Sequence, residues 1–279
     1  MKTIRGIVSI IRPEDGALGA AGVYIGWAVA AGRIIPHHPL SLIFSSLSTF
    51  LLIGVLNILN DIEDLNIDKL IHSRRAIASG KISLGFSRYY LIALLIASMG
   101  FATAASLISG QPLILLIFFL ALLLGLSYEV WLKNRGFWGN AVIASMVTLP
   151  FLMGASIPGV TPIIAVLCLM AFVTGMAKEV INDVKDLEGD RGHRKTLPQM
   201  IGVKPSLFYA MILLIITILL SVLPIFIVGF NIPYAVIIGT ADLVLIAVMV
   251  ISFHRPVLAH HLHSLGMLMS FPGFLMLSI

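Results

Sequence analysis

Charged residues are scarce in this sequence. Asp, Glu, Lys and Arg make up 11% of the 279 residues, whereas 59% are hydrophobic, and the mean hydropathy is +1.05. Between Arg33 and Asp61 there is no acidic side chain and no Lys or Arg. Soluble globular domains carry about 25% charged residues. The composition therefore excludes that class and predicts an integral membrane protein.

Cysteine is nearly absent, since Cys168 stands alone. A single cysteine excludes a disulfide framework and a cysteine-based metal site. No low-complexity stretch or polar linker divides the chain, so we expect one domain over residues 1–279. The net charge of +5 gives no support to nucleic-acid binding, and attraction to anionic lipid headgroups is enough to account for it. No protein partner is predicted.

Long apolar runs are abundant. A helix of about 17 uncharged residues can cross the roughly 30 Å hydrocarbon layer of a bilayer. Such runs predict an all-α, multi-pass transmembrane bundle of nine helices, with cytoplasmic Asp-rich loops or helix ends. The runs cover residues 16–32, 40–59, 89–108, 112–128, 139–157, 162–177, 207–230, 233–251 and 262–279.

The basic residues predict the orientation of these spans. With the N-terminus in the cytoplasm, every Lys and Arg except Arg33 falls on the cytoplasmic side. This is the asymmetry that the positive-inside rule describes. We therefore expect a functional site on the cytoplasmic face of the membrane.

Two acidic motifs stand out against the apolar background. NDIEDLNID begins at Asn60 and NDVKDLEGD begins at Asn182, and both read N-D-(I/V)-x-D-L-x-x-D. Four predicted spans separate the copies, so both emerge on the same side of the membrane. The repeat is parallel, whereas many transporters are built from inverted repeats.

Helical geometry places the acids of each motif on one face. At 100° per residue, Asp61, Asp64 and Asp68 share a face with Asn57, and Glu63 points away. The same spacing brings together Asp183, Asp186 and Asp190.

Three carboxylates on one stripe repel one another unless positive charge lies among them. Mg²⁺ favours oxygen ligands and is often shared between carboxylates and a phosphate. Basic residues follow each motif, and with the acids they predict a diphosphate site at the mouth of an apolar bundle. A lipid tail would extend below it.

Two other readings of the motifs remain open at this point. The acids are either solvated loop residues that balance nearby bases, or the ligands of a divalent-cation or organic-phosphate transporter. Transporters usually place such ligands near the middle of the bilayer, whereas these lie at one interface. An EF-hand is not supported, because neither copy has the ligand spacing of that loop.

The motif pair resembles the UbiA superfamily of intramembrane prenyltransferases. The first hallmark of that family is present as NILNDIEDLNID from Asn57, and the second as DVKDLEGD from Asp183. A middle element similar to the family's Y-x-x-x-x-K...G-N consists of Tyr128, Lys133, Gly139 and Asn140. The resemblance extends from Arg12 to Pro198.

The stretch after the first motif is similar to two branches of the superfamily. Arg75 follows Asp68 by seven residues and is followed by IASGKIS, a compact spacing similar to the archaeal lipid and chlorophyll synthase branches. With DLEGD and KTLP, the chain most resembles the archaeal lipid branch. Two prolines of that pattern are Ala76 and Ala78 here, which predicts a looser loop because proline fixes φ.

The resemblance implies a Mg²⁺-dependent transfer of a geranylgeranyl group through an allylic carbocation. The acceptor would be geranylgeranylglyceryl phosphate, and the alternative is an aromatic acceptor of the quinone or chlorophyll type. The implied metal ligands are Asn57, Asp61, Asp64, Asp68, Asp183, Asp186 and Asp190. The implied catalytic residues are Asp61, Asp64, Asp186, Asp190 and Tyr128. The implied diphosphate-binding residues are Arg75, Lys133, Lys195, Arg74, Arg191 and Asn140.

Two further sets of polar residues lie outside the motifs. Asp242 lies in the eighth predicted span, where an ionisable group suggests function by default, although a hydrogen-bonded structural role is favoured. The histidines at positions 254, 260, 261 and 263 are interpreted as an interfacial cluster and not as a metal site.

Overall fold

The structure is a computed structural model that describes residues 2–37, 39–71, 73–190 and 194–279. The described part is helical and contains no β-strand. The long helices are α2 Pro13–Ala31, α3 Pro39–Glu63, α5 Leu84–Ser109, α6 Leu113–Ser127, α7 Phe137–Ala155, α8 Pro162–Lys185, α11 Val203–Leu220, α13 Ile232–Ile251 and α14 Pro256–Leu275. The short helices are α1 Lys2–Ile11, α4 Leu65–Ile71, α9 Leu187–Asp190, α10 Leu197–Ile201 and α12 Leu223–Val228. A π-helical turn at Tyr128–Leu132 and a 3₁₀ turn at Met276–Ser278 complete the set.

Each predicted span overlaps one of the long helices, so the all-α class is confirmed, and the span 207–230 also includes the short helix α12. By length and composition, seven of the helices in the described residues could cross a membrane. The count differs from nine because α2 and α14 are not among the seven. The first turn of α2 contains Glu14 and Asp15, and α14 contains three histidines. These polar residues lower the mean hydropathy of the two helices.

Glycines allow α2 and α7 to pack closely at the centre of the bundle. A Cβ atom on Gly26 would lie 2.0 Å from the carbonyl oxygen of Phe151, and one on Gly154 would lie 1.8 Å from that of Val23. The two backbones therefore touch, as is common where small residues line a helix interface in membranes. This contact joins the two halves of the molecule.

The two halves repeat the same packing order, which positions the two motifs. In the first half α3 packs between α2 and α5, and in the second half α8 packs between α7 and α11. The acidic motifs occupy the C-terminal ends of α3 and α8, and continue into α4 and α9. The sequence repeat is thus also a structural repeat, with both motifs at the same end of the bundle.

Candidate active site

A single cavity of about 490 Å³ brings the two motifs together. It lies where the C-terminal ends of α3, α6 and α8 meet the N-terminal end of α7. Its apolar lining residues are Leu56, Ile67, Ile143 and Met146, and all of these except Ile67 lie further from the helix ends than most of the polar residues. The cavity therefore has a polar mouth and an apolar floor. The polar lining consists of Arg12, Asn57, Asn60, Asp64, Asp68, Arg75, Tyr128, Glu129, Lys133, Asn140, Glu179, Asn182, Asp183, Lys185, Asp186, Arg194 and Thr196.

The first motif keeps its helical register across the break between α3 and α4. The amide of Asp64 donates to the carbonyl of Asn60 at 2.9 Å, and the amide of Asp68 donates to that of Asp64 at 2.8 Å. Asp61, Asp64 and Asp68 are 4%, 7% and 2% exposed, whereas Glu63 is exposed. The three aspartates are thus buried and Glu63 is turned away, as predicted, but only Asp64 and Asp68 line the cavity, whereas Asp61 does not.

Basic side chains lie among these buried carboxylates. Asp61 pairs with Arg12 at 2.6 Å and with Arg75 at 3.3 Å, and Arg75 also pairs with Asp68 at 2.8 Å. Asp64 accepts from Lys133 at 2.7 Å and from Arg194 at 2.9 Å. Buried carboxylates without such partners are strongly destabilising. The positive charge that the crowded acids require is thus supplied in part by the protein itself.

From the sequence, Arg12 contributed only to the predicted orientation of the spans, and its position in the candidate active site was not predicted. It stands between α1 and α2 with φ 46°, and no other non-glycine residue in the described part has a positive φ. This left-handed break lies directly before Pro13, and the Arg12 side chain reaches Asp61 from it. Pro13 indicates the start of α2 in the sequence, but nothing local to Arg12 indicates its contact with Asp61.

Asn57 and Asn60, which lie three residues apart at the end of α3, have different partners. Asn57, the predicted ligand, lines the cavity but donates to the carbonyl of Ile11 at 3.2 Å and to Asp15 at 3.3 Å. Asn60 donates to Asp64 at 3.4 Å. Asn60 was not among the predicted ligands, although it opens the first copy of the repeat as Asn182 opens the second.

The predicted middle element forms the wall between the two motifs. A π-helical turn starts at Tyr128, and the amide of Lys133 donates to the Tyr128 carbonyl at 2.9 Å. Tyr128, Lys133 and Asn140 all line the cavity, as expected. Glu129 also lines it and was missed. Its i, i+4 spacing to Lys133, a typical ion-pair spacing on helices, was the signal.

The second motif is more open. Asp183 accepts a hydrogen bond from the amide of Asn140 at 2.8 Å. Asp186 follows the last residue of α8, its side chain is 48% exposed, and it lies 3.3 Å from the ammonium of Lys185. The backbone of Asp190 ends α9, and its side chain lies outside the described part of the structure.

Two of the predicted phosphate-binding bases lie away from the cavity. Arg74 and Lys195 are exposed and do not line it. Arg194, next to Lys195, does line it and contacts Asp64. Arg191 lies outside the described residues, so its prediction is not tested.

The donor set suits Mg²⁺ in type. In the described residues, no three His, Cys, Asp or Glu side chains are grouped so that they could hold a metal ion. Instead, oxygen donors line the α3–α4 wall and the α8–α9 wall of one cavity. Oxygen donors on two separate walls suit an ion that retains coordinated water molecules and is shared with a phosphate, as Mg²⁺ usually is.

Asp242 and the histidine cluster do not contribute to the cavity lining. Asp242 accepts a hydrogen bond from the hydroxyl of Ser221 at 2.8 Å. His263 is fully buried and lies 2.9 Å from the hydroxyl of Thr174. Hydrogen-bonded structural roles agree with these contacts.

An all-helical membrane bundle with two Asp motifs, interleaved bases and an apolar floor defines the class of intramembrane prenyltransferases. The chain belongs to the UbiA prenyltransferase family, whose model matches residues 16–271. It is an enzyme of that family, and the resemblance seen in the sequence is confirmed.

Individual relatives agree with the archaeal lipid branch. The digeranylgeranylglyceryl phosphate synthase of Methanosphaera stadtmanae is 32% identical, and the match covers 96% of this chain and 97% of the relative. A solved structure of a digeranylgeranylglyceryl phosphate synthase superposes with a TM-score of 0.80 at 23% identity, covering 100% of this chain and 99% of that one. A UbiA homologue from Archaeoglobus fulgidus, bound to GPP and Mg²⁺, has a TM-score of 0.70 at 21% identity, with coverage of 98% and 100%.

Proposed function

We propose that this enzyme transfers a geranylgeranyl group from its diphosphate to the hydroxyl of geranylgeranylglyceryl phosphate. The observation that carries the proposal is the single cavity in which both acidic motifs and several bases form a polar mouth above an apolar floor. We assign the polar mouth to the diphosphate head and the apolar floor to the prenyl tail. The digeranylgeranylglyceryl phosphate synthases among the relatives support this acceptor.

The bases that line the cavity would hold the diphosphate. Arg75, Lys133 and Arg194 each present N–H groups at the mouth, and charge-assisted hydrogen bonds to phosphate oxygens are the strong ones. When the allylic C–O bond breaks, the leaving diphosphate gains negative charge. Fixed cations that already face this position stabilise that charge without reorganising.

Mg²⁺ would be held by the carboxylates of the two motifs that line the cavity, together with Asn60. When bound, it neutralises diphosphate charge and so assists departure of the leaving group. We retain Asn57, Asp61 and Asp190 as proposed ligands from the sequence, although Asp61 is engaged by Arg12 and Arg75. A homologue of the same fold is bound to GPP and Mg²⁺, which supports a Mg²⁺ requirement.

Tyr128 is proposed to face the carbocation. Tyr128 lines the cavity, one residue before Glu129. An aromatic face stabilises a nearby cation through its quadrupole. The acceptor hydroxyl attacks the allylic carbon, forms the new ether bond and releases its proton.

The test is an acceptor panel with labelled geranylgeranyl diphosphate in detergent or liposomes. We expect transfer to geranylgeranylglyceryl phosphate, loss of transfer when EDTA removes Mg²⁺, and recovery when Mg²⁺ is restored. Asp186→Ala should abolish transfer while the protein stays folded. Transfer to a hydroxylated aromatic alone would overturn the acceptor assignment, and full activity in EDTA would overturn the metal requirement.

The protein is an integral membrane protein, and we propose that the mouth of the cavity faces the cytoplasm. The distribution of Lys and Arg supports this orientation. In a Cys168→Ala background, cysteines introduced at Ser79, an exposed residue of the 73–83 loop, and at exposed Arg33 would report the two sides. An impermeant maleimide added to intact cells should label Arg33→Cys only, and labelling of Ser79→Cys alone would reverse the orientation.

A further inference from the structure

Glu129 is a buried carboxylate that belongs to neither acidic motif. Its side chain is 6% exposed, and it lies in the π-helical turn that lines the cavity. A negative charge at a diphosphate site opposes the ligand unless it has another task. Glu129 belongs neither to the proposed metal ligands nor to the proposed phosphate-binding bases.

The contacts of Glu129 form a closed ring with the centre of the first motif. Its carboxylate accepts from the Lys133 ammonium at 2.8 Å and from the Asn60 amide at 3.0 Å. The same two donors also reach Asp64, at 2.7 Å and 3.4 Å. Two carboxylates from different helical segments thus hold one ammonium and one amide between them.

This ring fixes the position of a flexible side chain. Lysine has a four-carbon stem with several rotatable bonds, and an ammonium bound to Asp64 alone could pivot about that contact. A second acceptor on another segment removes this freedom and leaves one N–H of Lys133 for a further acceptor. The Lys133 side chain is 8% exposed, so the preferred acceptor is a ligand in the cavity.

We infer that Glu129 is a positioning residue that holds Lys133 in place to receive the diphosphate. The inference rests on the proposed function, since it requires Lys133 to contact the diphosphate of the prenyl donor. Glu129 itself touches no substrate and acts through Lys133.

Glu129→Gln tests this role, with Glu63→Gln as the matched control. Lys133 and Asn60 donate to different oxygens of Glu129, and in glutamine one of those oxygens becomes an NH₂ donor that would face a donor, while the side chain carries no charge. We expect the affinity for inorganic diphosphate with Mg²⁺, measured by calorimetry, to fall about tenfold, as for loss of a charged hydrogen bond. KM for the prenyl donor should rise by a similar factor. Glu63 is exposed on the same motif, and its variant should match the wild type.

A double-mutant cycle separates positioning from general structural support. In a Lys133→Gln background, Glu129→Gln should change diphosphate affinity by less than about twofold, because the group through which it acts is gone. A full tenfold loss in that background, or wild-type affinity in the single variant, would overturn the inference. If Glu129→Gln yields no folded protein, Glu129→Asp keeps the charge but shortens the reach, and wild-type affinity in it would equally contradict the inference.

Failure of the proposed function gives a different result. In that case the wild type and the Glu63→Gln control would both lack prenyl transfer. An active wild type with an unaffected Glu129→Gln variant removes this inference alone.

Discussion

The two acidic motifs share a sequence pattern and a helical position but differ in their surroundings. In the first, three aspartates are at most 7% exposed, and four bases pair with them. In the second, Asp183 is held by the Asn140 amide, and Asp186 is 48% exposed beside Lys185. The repeat therefore duplicates the ligands without duplicating their environment.

The difference comes from segments outside the repeat. The bases around the first motif come from the α1–α2 break, the loop after α4, the residue after the π turn, and the stretch after α9. All four bases reach the first motif, where α3 ends and α4 begins. The ion pairs of the first motif thus stabilise the mouth of the cavity, and its carboxylates are also proposed metal ligands. Asp186 of the second motif contributes little to stability. Activity and stability should respond differently to changes in the two motifs.

The largest effect is expected when the equivalent aspartates Asp64 and Asp186 are compared. Both replacements by alanine should lower prenyl transfer about a hundredfold or more, because each removes a proposed metal ligand. Asp64→Ala also leaves Lys133 and Arg194 without their shared acceptor. Breaking a buried ion pair in this way costs about 3–5 kcal/mol, whereas an exposed pair contributes about 0–1 kcal/mol.

The measurement is the thermal denaturation midpoint in detergent beside the transfer rate. Asp64→Ala should lose both activity and several degrees of stability, and Asp186→Ala should lose activity alone. Equal destabilisation of the two variants would show that the second motif is as deeply integrated as the first, and would remove the distinction.

A smaller effect is expected from Arg75, which bridges two aspartates of the first motif. Arg75→Ala should lower transfer about tenfold to a hundredfold, because Asp61 and Asp68 lose a shared charged donor that is also proposed to bind diphosphate. Arg88 is the fifth residue of α5 and is exposed, so Arg88→Ala is the matched control and should behave like the wild type. A donor KM unchanged by Arg75→Ala would argue against the diphosphate contact.

Helical periodicity explains how much of this site was predictable. Within α3 and α4, a fixed angle per residue placed Asp61, Asp64 and Asp68 on one face from the sequence alone. Loops have no such period, so the choice between Arg194 and Lys195 could not be made. The apolar runs likewise predicted the helices, because backbone polar groups inside a bilayer must form hydrogen bonds within the protein.

The missed residues share one property, which is that their partners are distant in sequence. Arg12 meets Asp61, and Glu129 meets Asn60, only after α2, α3 and the π turn have packed. Nothing local to either residue specifies that contact. The open second motif was also not predictable, since its sequence matches that of the buried first motif.

The smallest effect is expected at Lys185, which stands beside Asp186 as Lys133 stands beside Asp64. The Lys185 side chain is 22% exposed and its nitrogen lies 3.3 Å from one carboxylate, whereas Lys133 is 8% exposed and contacts two at 2.7 and 2.8 Å. Lys185→Gln should therefore change the free energy of unfolding by less than about 1 kcal/mol, and by less still at high salt, where the charges are screened. Lys133→Gln leaves two buried carboxylates short of a donor and should cost about 3 kcal/mol or more. The measurement is the thermal denaturation midpoint of both variants at low and high salt. If Lys185→Gln lowers the midpoint as much as Lys133→Gln does, and the decrease depends on salt, the second motif depends on its lysine as much as the first does.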